Sequence, residues 1–414
     1  MDDESASCPD SQDWSAEFEL LTARVAGLFV TWESGAHARS YLAGLLAPIE
    51  RKNGWTISEH VGEKEPKAMQ RFLNLVSWDA DDLRDLNLDY VIENLGDSDG
   101  VLIADPTEFA KKGKKSAGVE RHYSGALGRI ENCQIGTFLA FVNTAGDRLL
   151  IDRELYIPEE TWFGDRDRCA EAAVPADLEF TNRPTQVVAM IKRCVQAGLE
   201  FRWFTADEEF GQNRGLRGYL EDATTAYVMA IPKGTEYTDT AGRATQLENL
   251  PGRLSSNAWQ RRACGIGTQG YRVYDWAIVD SYDGDHQYMI RRSIDDGELA
   301  FYHCYNPHHE RDGELVRVAV ARWPIGECLQ TARGSVGLDN YQVRLYHAWY
   351  RHITLAMTAQ SFLVILARRQ HTKKGGPALD PGTEEPGTTT DQKVISGSGD
   401  TGTNESPRLR RRTA

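Results

Sequence analysis

The order of apolar patterns between residues 101 and 231 constrains the fold of this chain more than any other feature. Val101-Leu102-Ile103-Ala104 is a short apolar run, which is typical of a buried strand. The patterns that follow it predict a hairpin at 133–156, a helix at 186–197, a strand at 201–205, a helix at 216–221 and a strand at 227–231. This succession predicts a mixed α/β core.

Different patterns flank that core on both sides. Apolar residues at helical spacing precede it, short strand patterns between Gly, Asp and Asn turns follow it, and helical patterns then return. The end of the chain is rich in Gly, Pro, Thr and Ser and predicts a disordered tail. We therefore expect a disordered tail at 1–17, a helical domain at 18–97 and the first part of the core at 98–232. A β-rich insertion at 233–308, closing helices at 309–370 and a second disordered tail at 371–414 would follow.

Charge and cysteine usage narrow the class of protein. The 47 Lys and Arg against 61 Asp and Glu give a net charge of −14, so a polyanion must be held by a local basic patch. Seven scattered cysteines without a Cys-x-x-Cys pair predict reduced thiols in a cytoplasmic protein. The acidic N-terminus is unlike a signal peptide, and the longest apolar stretch, 353–367, is interrupted by polar residues. We expect no membrane segment.

Two aspartates follow predicted strands of the core. Asp105 comes after the run 101–104, and we expect Pro106 to end that strand because proline cannot donate to a ladder. Asp207 follows the strand pattern at 201–205. Carboxylates at the carboxyl ends of neighbouring strands are placed where open sheets bind ligands. Each aspartate taken alone also fits a turn or helix cap.

A lysine-rich segment follows Asp105. Lys111, Lys112, Lys114 and Lys115 surround a glycine, and Arg121 comes shortly afterwards. Such a patch suits a phosphate backbone, although a solvated loop has the same composition. The ligand-type residues at 303–304 and 308–309 lack zinc spacing, so we interpret them as structural.

Several motifs closely resemble bacterial insertion-sequence transposases of the DDE superfamily, of the 701-group type. The resemblance runs from about residue 18 to 368 and is carried by Asp105-Pro106-Thr107-Glu108-Phe109-Ala110-Lys111-Lys112-Gly113, Asp152-Arg153-Glu154-Leu155-Tyr156, Thr205-Ala206-Asp207-Glu208, Val336-Gly337-Leu338-Asp339 and Tyr341-Gln342-Val343-Arg344. It implies an RNase H-like core interrupted by the β-rich insertion.

The resemblance also implies a two-metal site for Mg²⁺, or Mn²⁺, with Asp105 and Asp207 as its first two ligands. Divalent ions of this kind prefer carboxylate oxygens and flank a scissile phosphate. Double-stranded DNA at transposon ends is the implied partner, bound by a homodimer, and Arg322 and Arg333 join the lysines as expected DNA contacts. The protein would be cytoplasmic and associated with the nucleoid when bound to DNA.

The third acidic ligand of that family is missing from its expected position. The resemblance places Arg, Glu and Lys where this chain has Arg322, Gly326 and Arg333, and the spacing puts these three positions on one helical face. Glu327 is the nearest carboxylate and the remaining catalytic candidate, but a one-residue offset turns its Cβ by about 100°.

Three functions follow from these patterns. The first is a DNA transposase whose cleavage chemistry is impaired at Gly326. The second is a catalytically inactive DNA-binding remnant or regulator. The third, a metal-dependent hydrolase of small phosphates, is disfavoured by the lysine-rich segment. We assign the recognition of DNA sequence to helices within residues 36–96.

Overall fold

A mixed sheet of ten strands forms the centre of the computed structural model, which describes residues 11–63, 65–124, 128–267 and 270–373. Its strands are β1 (Val101–Ala110), β2 (Glu120–Ser124), β3 (Arg129–Val142), β4 (Arg148–Tyr156), β5 (Trp203–Ala206), β6 (Ala226–Ile231), β9 (Gln260–Gly267), β10 (Gly270–Asp280), β11 (His286–Ser293) and β12 (Leu299–Tyr305). Two short strands, β7 (Glu236–Thr238) and β8 (Ala244–Gln246), form a separate ladder.

The first part of the sheet has RNase H-like topology. Its strand order is β4-β3-β1-β5-β6, in which β3 is antiparallel to both β1 and β4. Strands β5 and β6 are parallel to β1 and β5 respectively. The buried run at the start of β1 and the fully buried β5 explain this arrangement, because strands covered on both faces need side chains that are apolar throughout. The predicted mixed α/β core is confirmed.

The segment predicted as an insertion continues the same sheet. Strand β12 pairs with β6 in antiparallel register, and β11, β10 and β9 follow as successive antiparallel neighbours. The edge of the RNase H-like core at β6 is therefore covered by protein strands, which removes an exposed ladder of backbone donors and acceptors.

The prediction that Pro106 ends its strand is wrong. Strand β1 continues to Ala110 because its antiparallel pairing with β3 extends through Pro106 and beyond. Only the parallel pairing with β5 stops, at Ala104. A proline is tolerated where its nitrogen faces a side without a partner strand, and β1 has no β5 partner after Ala104.

Helices pack around the sheet, and the first five of them precede it in the chain. Within the described residues they are α1 (Ser11–Ala26), α2 (Trp32–Leu46), α3 (Gly54–His60), α4 (Lys67–Asn74), α5 (Ala80–Leu95), α6 (Arg166–Glu171), α7 (Arg183–Gln196), α8 (Glu208–Gly211), α9 (Arg214–Asp222), α10 (Asp312–Ala321), α11 (Ile325–Val336) and α12 (Tyr346–Lys373). One π-helical turn spans Glu159–Phe163 and two 3-10 turns span Leu247–Asn249 and Ser256–Ala258. Helix α12 packs against α5, α2, α11 and β4.

Buried polar contacts join the N-terminal helices to the core. Arg153 on β4 is fully buried and donates from Nη2 to Asp81 of α5 (2.8 Å) and from Nε to Thr354 of α12 (2.9 Å). Burial lowers the pKa of His352 to about 4, so its ring is neutral. Its Nε2 donates to the carbonyl of Gly337 (3.0 Å), and its Nδ1 accepts from the hydroxyl of Tyr41 on α2 (2.9 Å).

Parts of both predicted tails are helical. Helix α1 begins at Ser11, so residues 11–17 are helical, and the ring of Trp14 stacks on Phe18 and meets Phe362 edge-on. Helix α12 continues to Lys373, whereas the second tail was expected from residue 371. The remaining parts of both tails, 1–10 and 374–414, lie outside the described residues.

Two further features concern the chain as described. None of its helices is both long enough and apolar enough to cross a membrane. Its six described cysteines are buried and form no disulfide with one another.

Candidate active site and basic groove

Asp105 and Asp207 lie next to each other where the parallel pairing of β1 and β5 ends. Their preceding residues, Ala104 and Ala206, are paired in the parallel ladder of β1 and β5. Because parallel strands run in the same direction, the residues that follow such a pair leave the ladder together. The structure thus brings together the two aspartates that the strand patterns singled out.

The carboxyl group of Asp105 is affected by its surroundings. The pKa of Asp105 is raised to about 7, mainly by burial, which outweighs the lowering effect of Arg322 and is supported by the nearby Asp207 carboxylate. The Nη1 atom of Arg322 lies 3.7 Å from Oδ1 of Asp105. At neutral pH Asp105 is therefore a partly protonated carboxyl group beside a guanidinium.

Asp207 also caps a short helix. One of its carboxylate oxygens accepts hydrogen bonds from the backbone N–H groups of Glu209 (3.0 Å) and Phe210 (3.4 Å) at the start of α8. Burial raises the pKa of Glu209, and Arg183 binds its carboxylate at 2.7 Å. The helix-cap interpretation of Asp207 thus holds, and it leaves the second carboxylate oxygen of Asp207 available.

The expected single helix through residues 322, 326 and 333 is wrong. Helix α10 ends at Ala321 and α11 begins at Ile325, with Pro324 at the N-cap position. Proline inside a helix removes a hydrogen bond and clashes with the carbonyl four residues earlier, so the chain starts a new helix. Arg322 consequently lies in the turn between two helices.

Gly326 nevertheless lies on the face of α11 that is turned toward β1. Arg333, seven residues later on the same face, donates from Nη2 to the hydroxyl of Thr107 (2.5 Å) and to the carbonyl of Glu108 (3.1 Å). Arg322, just before the helix, lies next to Asp105. A Cβ atom added at Gly326 would have no heavy atom within 4 Å. This position faces open space.

Glu327 faces another part of the surface. Its side chain is exposed and lines a cavity of about 200 Å³ together with Arg148 and Gln360. In the part of the chain that the structure describes, no group of three or more Asp, Glu, His or Cys side chains is placed to hold a metal ion. Asp105 and Asp207 are the pair that would take a divalent cation, and Glu327 does not complete a trio with them.

The lysine-rich segment lines one side of a groove of about 1030 Å³. Its four lysines differ in their surroundings. Lys111 is partly buried with Nζ 3.3 Å from the centre of the Tyr341 ring, and burial lowers its pKa to about 7 although Asp339 opposes this. Lys115 pairs with Glu171, whereas Lys112 and Lys114 are exposed and form no ion pair within the described residues.

Two arginines that sequence reasoning missed also line this groove. Arg51 comes from the segment between α2 and α3, and Arg344 from the segment before α12. Both are exposed, and the groove also carries the carboxylates of Glu50 and Asp339. Arg344 stands in one of the motifs that carried the family resemblance, which was the available signal, while nothing near Arg51 in the sequence points to the groove. Arg121 on β2 is exposed but does not line it.

Comparisons with known proteins identify a family model and a curated relative that match this chain. A family model described as "DDE superfamily endonuclease" matches residues 29–253, which is more than half of the chain. The probable transposase for insertion sequence element IS701 of Microchaete diplosiphon is 26% identical over 189 residues, which cover 45% of this chain and 46% of that protein. The match thus spans about half the length of this curated relative.

Among solved structures, the chain is similar to the cryo-EM structure of piggyBac transposase in its synaptic complex with hairpin DNA. The TM-score is 0.43 at 9% sequence identity, over 90% of this chain and 75% of that one. The family match and the IS701 relative confirm the resemblance seen in the motifs. This chain belongs to the DDE superfamily of endonucleases.

Proposed function

We propose that this protein binds double-stranded DNA at the ends of an insertion sequence and that its DNA strand cleavage and transfer are impaired at residue 326. Asp105 and Asp207 would be the surviving catalytic carboxylates. The observation that carries the proposal is the open space at Gly326, on the helix whose Arg333 contacts β1, where the resemblance places a carboxylate.

The residues present do not fit a complete two-metal site. In such a site Mg²⁺ or Mn²⁺ activates a nucleophile and stabilises the leaving oxygen of a phosphodiester. Asp105 and Asp207 supply two side-chain ligands, but the guanidinium of Arg322 lies beside Asp105 and the third carboxylate is absent. Two carboxylates beside an arginine support weak ion binding at most.

The basic groove supports the DNA-binding part of the proposal. Lys112, Lys114, Arg51 and Arg344 are exposed along it, in a protein whose net charge is −14. In an acidic protein a cluster of this kind favours a polyanion at one place on the surface. Exposed Arg121 is a further candidate contact beside the groove, whereas Arg322 and Arg333 are engaged by residues of β1.

A second candidate function is that of a catalytically inactive DNA-binding remnant or regulator. The absence of a three-ligand group from the described residues favours it. In this case the protein would occupy transposon ends without cutting them. We place either protein in the cytoplasm, associated with the nucleoid when bound to DNA, and we propose that it binds DNA as a homodimer.

Binding to terminal DNA tests both candidates. The duplex should carry the inverted repeats that flank the gene, and a shuffled duplex of the same composition is the matched control. We expect preferential binding to the terminal duplex, with two protein chains per complex by light scattering. Equal and weak binding to both duplexes at physiological salt would overturn the proposal of end recognition.

A further inference from the structure

A second cavity adjoins the basic groove. It has a volume of about 370 Å³, within the roughly 300–1,000 Å³ of small-molecule pockets, and shares the residues 341–344 with the groove. We propose that this pocket, which we call the Trp55 pocket, accepts an unpaired nucleobase of DNA whose phosphates lie in the groove. The inference rests on the proposed DNA binding, and it specifies which part of the DNA this pocket would recognise.

Trp55 offers a fixed aromatic surface to such a base. It lies at the start of α3, lines the pocket, and is 51% exposed. Its indole Nε1 donates to Oε1 of Glu59, one turn later, at 2.8 Å. Because this bond restrains the ring while much of its surface stays open, little side-chain freedom is lost when a planar group stacks on it.

Primary amides also line the pocket. Gln70 and Gln342 are exposed, line the pocket, and form no side-chain hydrogen bond with other residues of the described ranges. Asn74 donates from Nδ2 to the carbonyl of Gln70 at 2.8 Å, which leaves its amide oxygen free to accept. Amides both donate and accept, so they match the mixed hydrogen-bonding edge of a nucleobase.

The partition between the pocket and the groove is rigid. Tyr341 lines both cavities and is buried, and its hydroxyl donates to Oε1 of Gln134 (2.9 Å) and accepts from Nε1 of Trp349 (3.1 Å). Arg344 also lines both, and its carbonyl accepts from the N–H of Ala117 (2.9 Å). Residues 341–344 thus line both the groove, where the lysines would hold a phosphate, and the pocket that contains Trp55.

The combination of chemistries favours a nucleobase over other occupants. Cations that follow a backbone beside an aromatic ring that stacks bases are the usual means of binding unpaired nucleic acid. The pocket walls themselves are mostly apolar and carry amides and the charge of Arg344, and the other cations belong to the adjoining groove. These residues lie within or next to the helices to which we assign sequence recognition.

The test compares two DNA duplexes of the same sequence, one fully paired and one with a single unpaired 2-aminopurine. Fluorescence anisotropy gives the affinities, and 2-aminopurine emission reports stacking. We expect the intact protein to bind the unpaired-base duplex about tenfold more tightly and to quench its emission. Trp55→Ala should abolish both the preference and the quenching, whereas Trp55→Phe should retain most of the preference.

Trp32→Ala is the matched control, because Trp32 is 79% exposed at the start of α2 and does not line the pocket. Gln342→Ala provides a second test on a residue whose loss removes no buried contact. Equal affinity of the intact protein for the two duplexes would overturn this inference while leaving the proposed DNA binding in place. Failure to bind either duplex would overturn both.

Discussion

The Nη1 atom of Arg322 lies 3.7 Å from Oδ1 of Asp105, so a protein cation already occupies one side of the first candidate ligand. Burial and Asp207 together hold the pKa of Asp105 high even with that arginine present. A divalent ion would have to compete with a proton and with Arg322 for this carboxylate.

We therefore predict weak metal binding by the unaltered protein. With two carboxylates, Mn²⁺ or Mg²⁺ should bind with a Kd in the millimolar range, a binding free energy of roughly −4 kcal/mol. Titration calorimetry measures this, with Asp105→Asn as the variant that should lose it. Because Glu327 faces the cavity near Gln360, Glu327→Gln should change nothing. Tight binding that disappears in Glu327→Gln would show that Glu327 is the third ligand.

Gly326→Glu should make the stability of the protein depend on divalent ions. The new side chain meets no steric barrier, and replacing a helical glycine contributes up to about 1 kcal/mol. Without metal, repulsion from Asp105 and Asp207 offsets that gain. An ion at about 100 times its Kd then adds about 2.7 kcal/mol to the free energy of unfolding.

Urea denaturation with and without Mg²⁺ measures this effect, and Gly326→Gln is the neutral control of similar size. The increase in the free energy of unfolding on adding Mg²⁺ should be largest for Gly326→Glu. The same difference in the glutamine variant would show that the carboxylate is not responsible.

Removal of Lys112 and Lys114 should weaken the binding of every DNA sequence alike. Each lost phosphate contact lowers the slope of log K against log salt by about 0.9, so the double alanine variant should lose up to about 1.8. Lys192 and Lys233 are exposed lysines outside both the groove and the helices to which we assign sequence recognition, and their double alanine variant controls for net charge. A salt slope that is unchanged by the groove substitutions but reduced by the control pair would remove this segment from the DNA interface.

Lys111 should give the folded protein a stability that increases with pH. Its pKa is about 7 in the folded state and near 10.5 as a free side chain. Above pH 7 the unfolded chain therefore binds a proton that the folded protein has released, so the free energy of unfolding rises with pH. This contribution is complete only above about pH 10.5 and is lost as the pH falls through 7.

Urea denaturation at pH 7 and pH 9 measures this rise, and Lys111→Met should reduce it because methionine does not titrate. A methionine variant with the same dependence on pH as the intact protein would assign the rise to other groups.

Local sequence patterns predicted the strands and helices of the core. Most features that they did not predict depend on tertiary contacts. The strands around Asp105 and Asp207 were predictable because buried runs and hairpins have short-range signatures. The effect of Pro106 was mispredicted because it depends on which side of β1 carries a partner strand.

The break before α11 had a local signal in Pro324, but only the fold shows that Gly326 still faces β1 through the contacts of Arg333. Arg51 and Arg344 meet in one groove although they are far apart in the chain, so no local pattern joins them. The placement of Glu327 near Gln360 likewise depends on how α11 packs on α12.

Cleavage of end-containing DNA, compared between the intact protein and Gly326→Glu at equal DNA occupancy and in the presence of Mg²⁺, tests the central claim most directly. We predict nicking near background by the intact protein and metal-dependent nicking at the transposon ends by Gly326→Glu, increased further when Arg333→Lys is added. Strong metal-dependent cleavage by the intact protein would contradict the claim that Gly326 impairs the site.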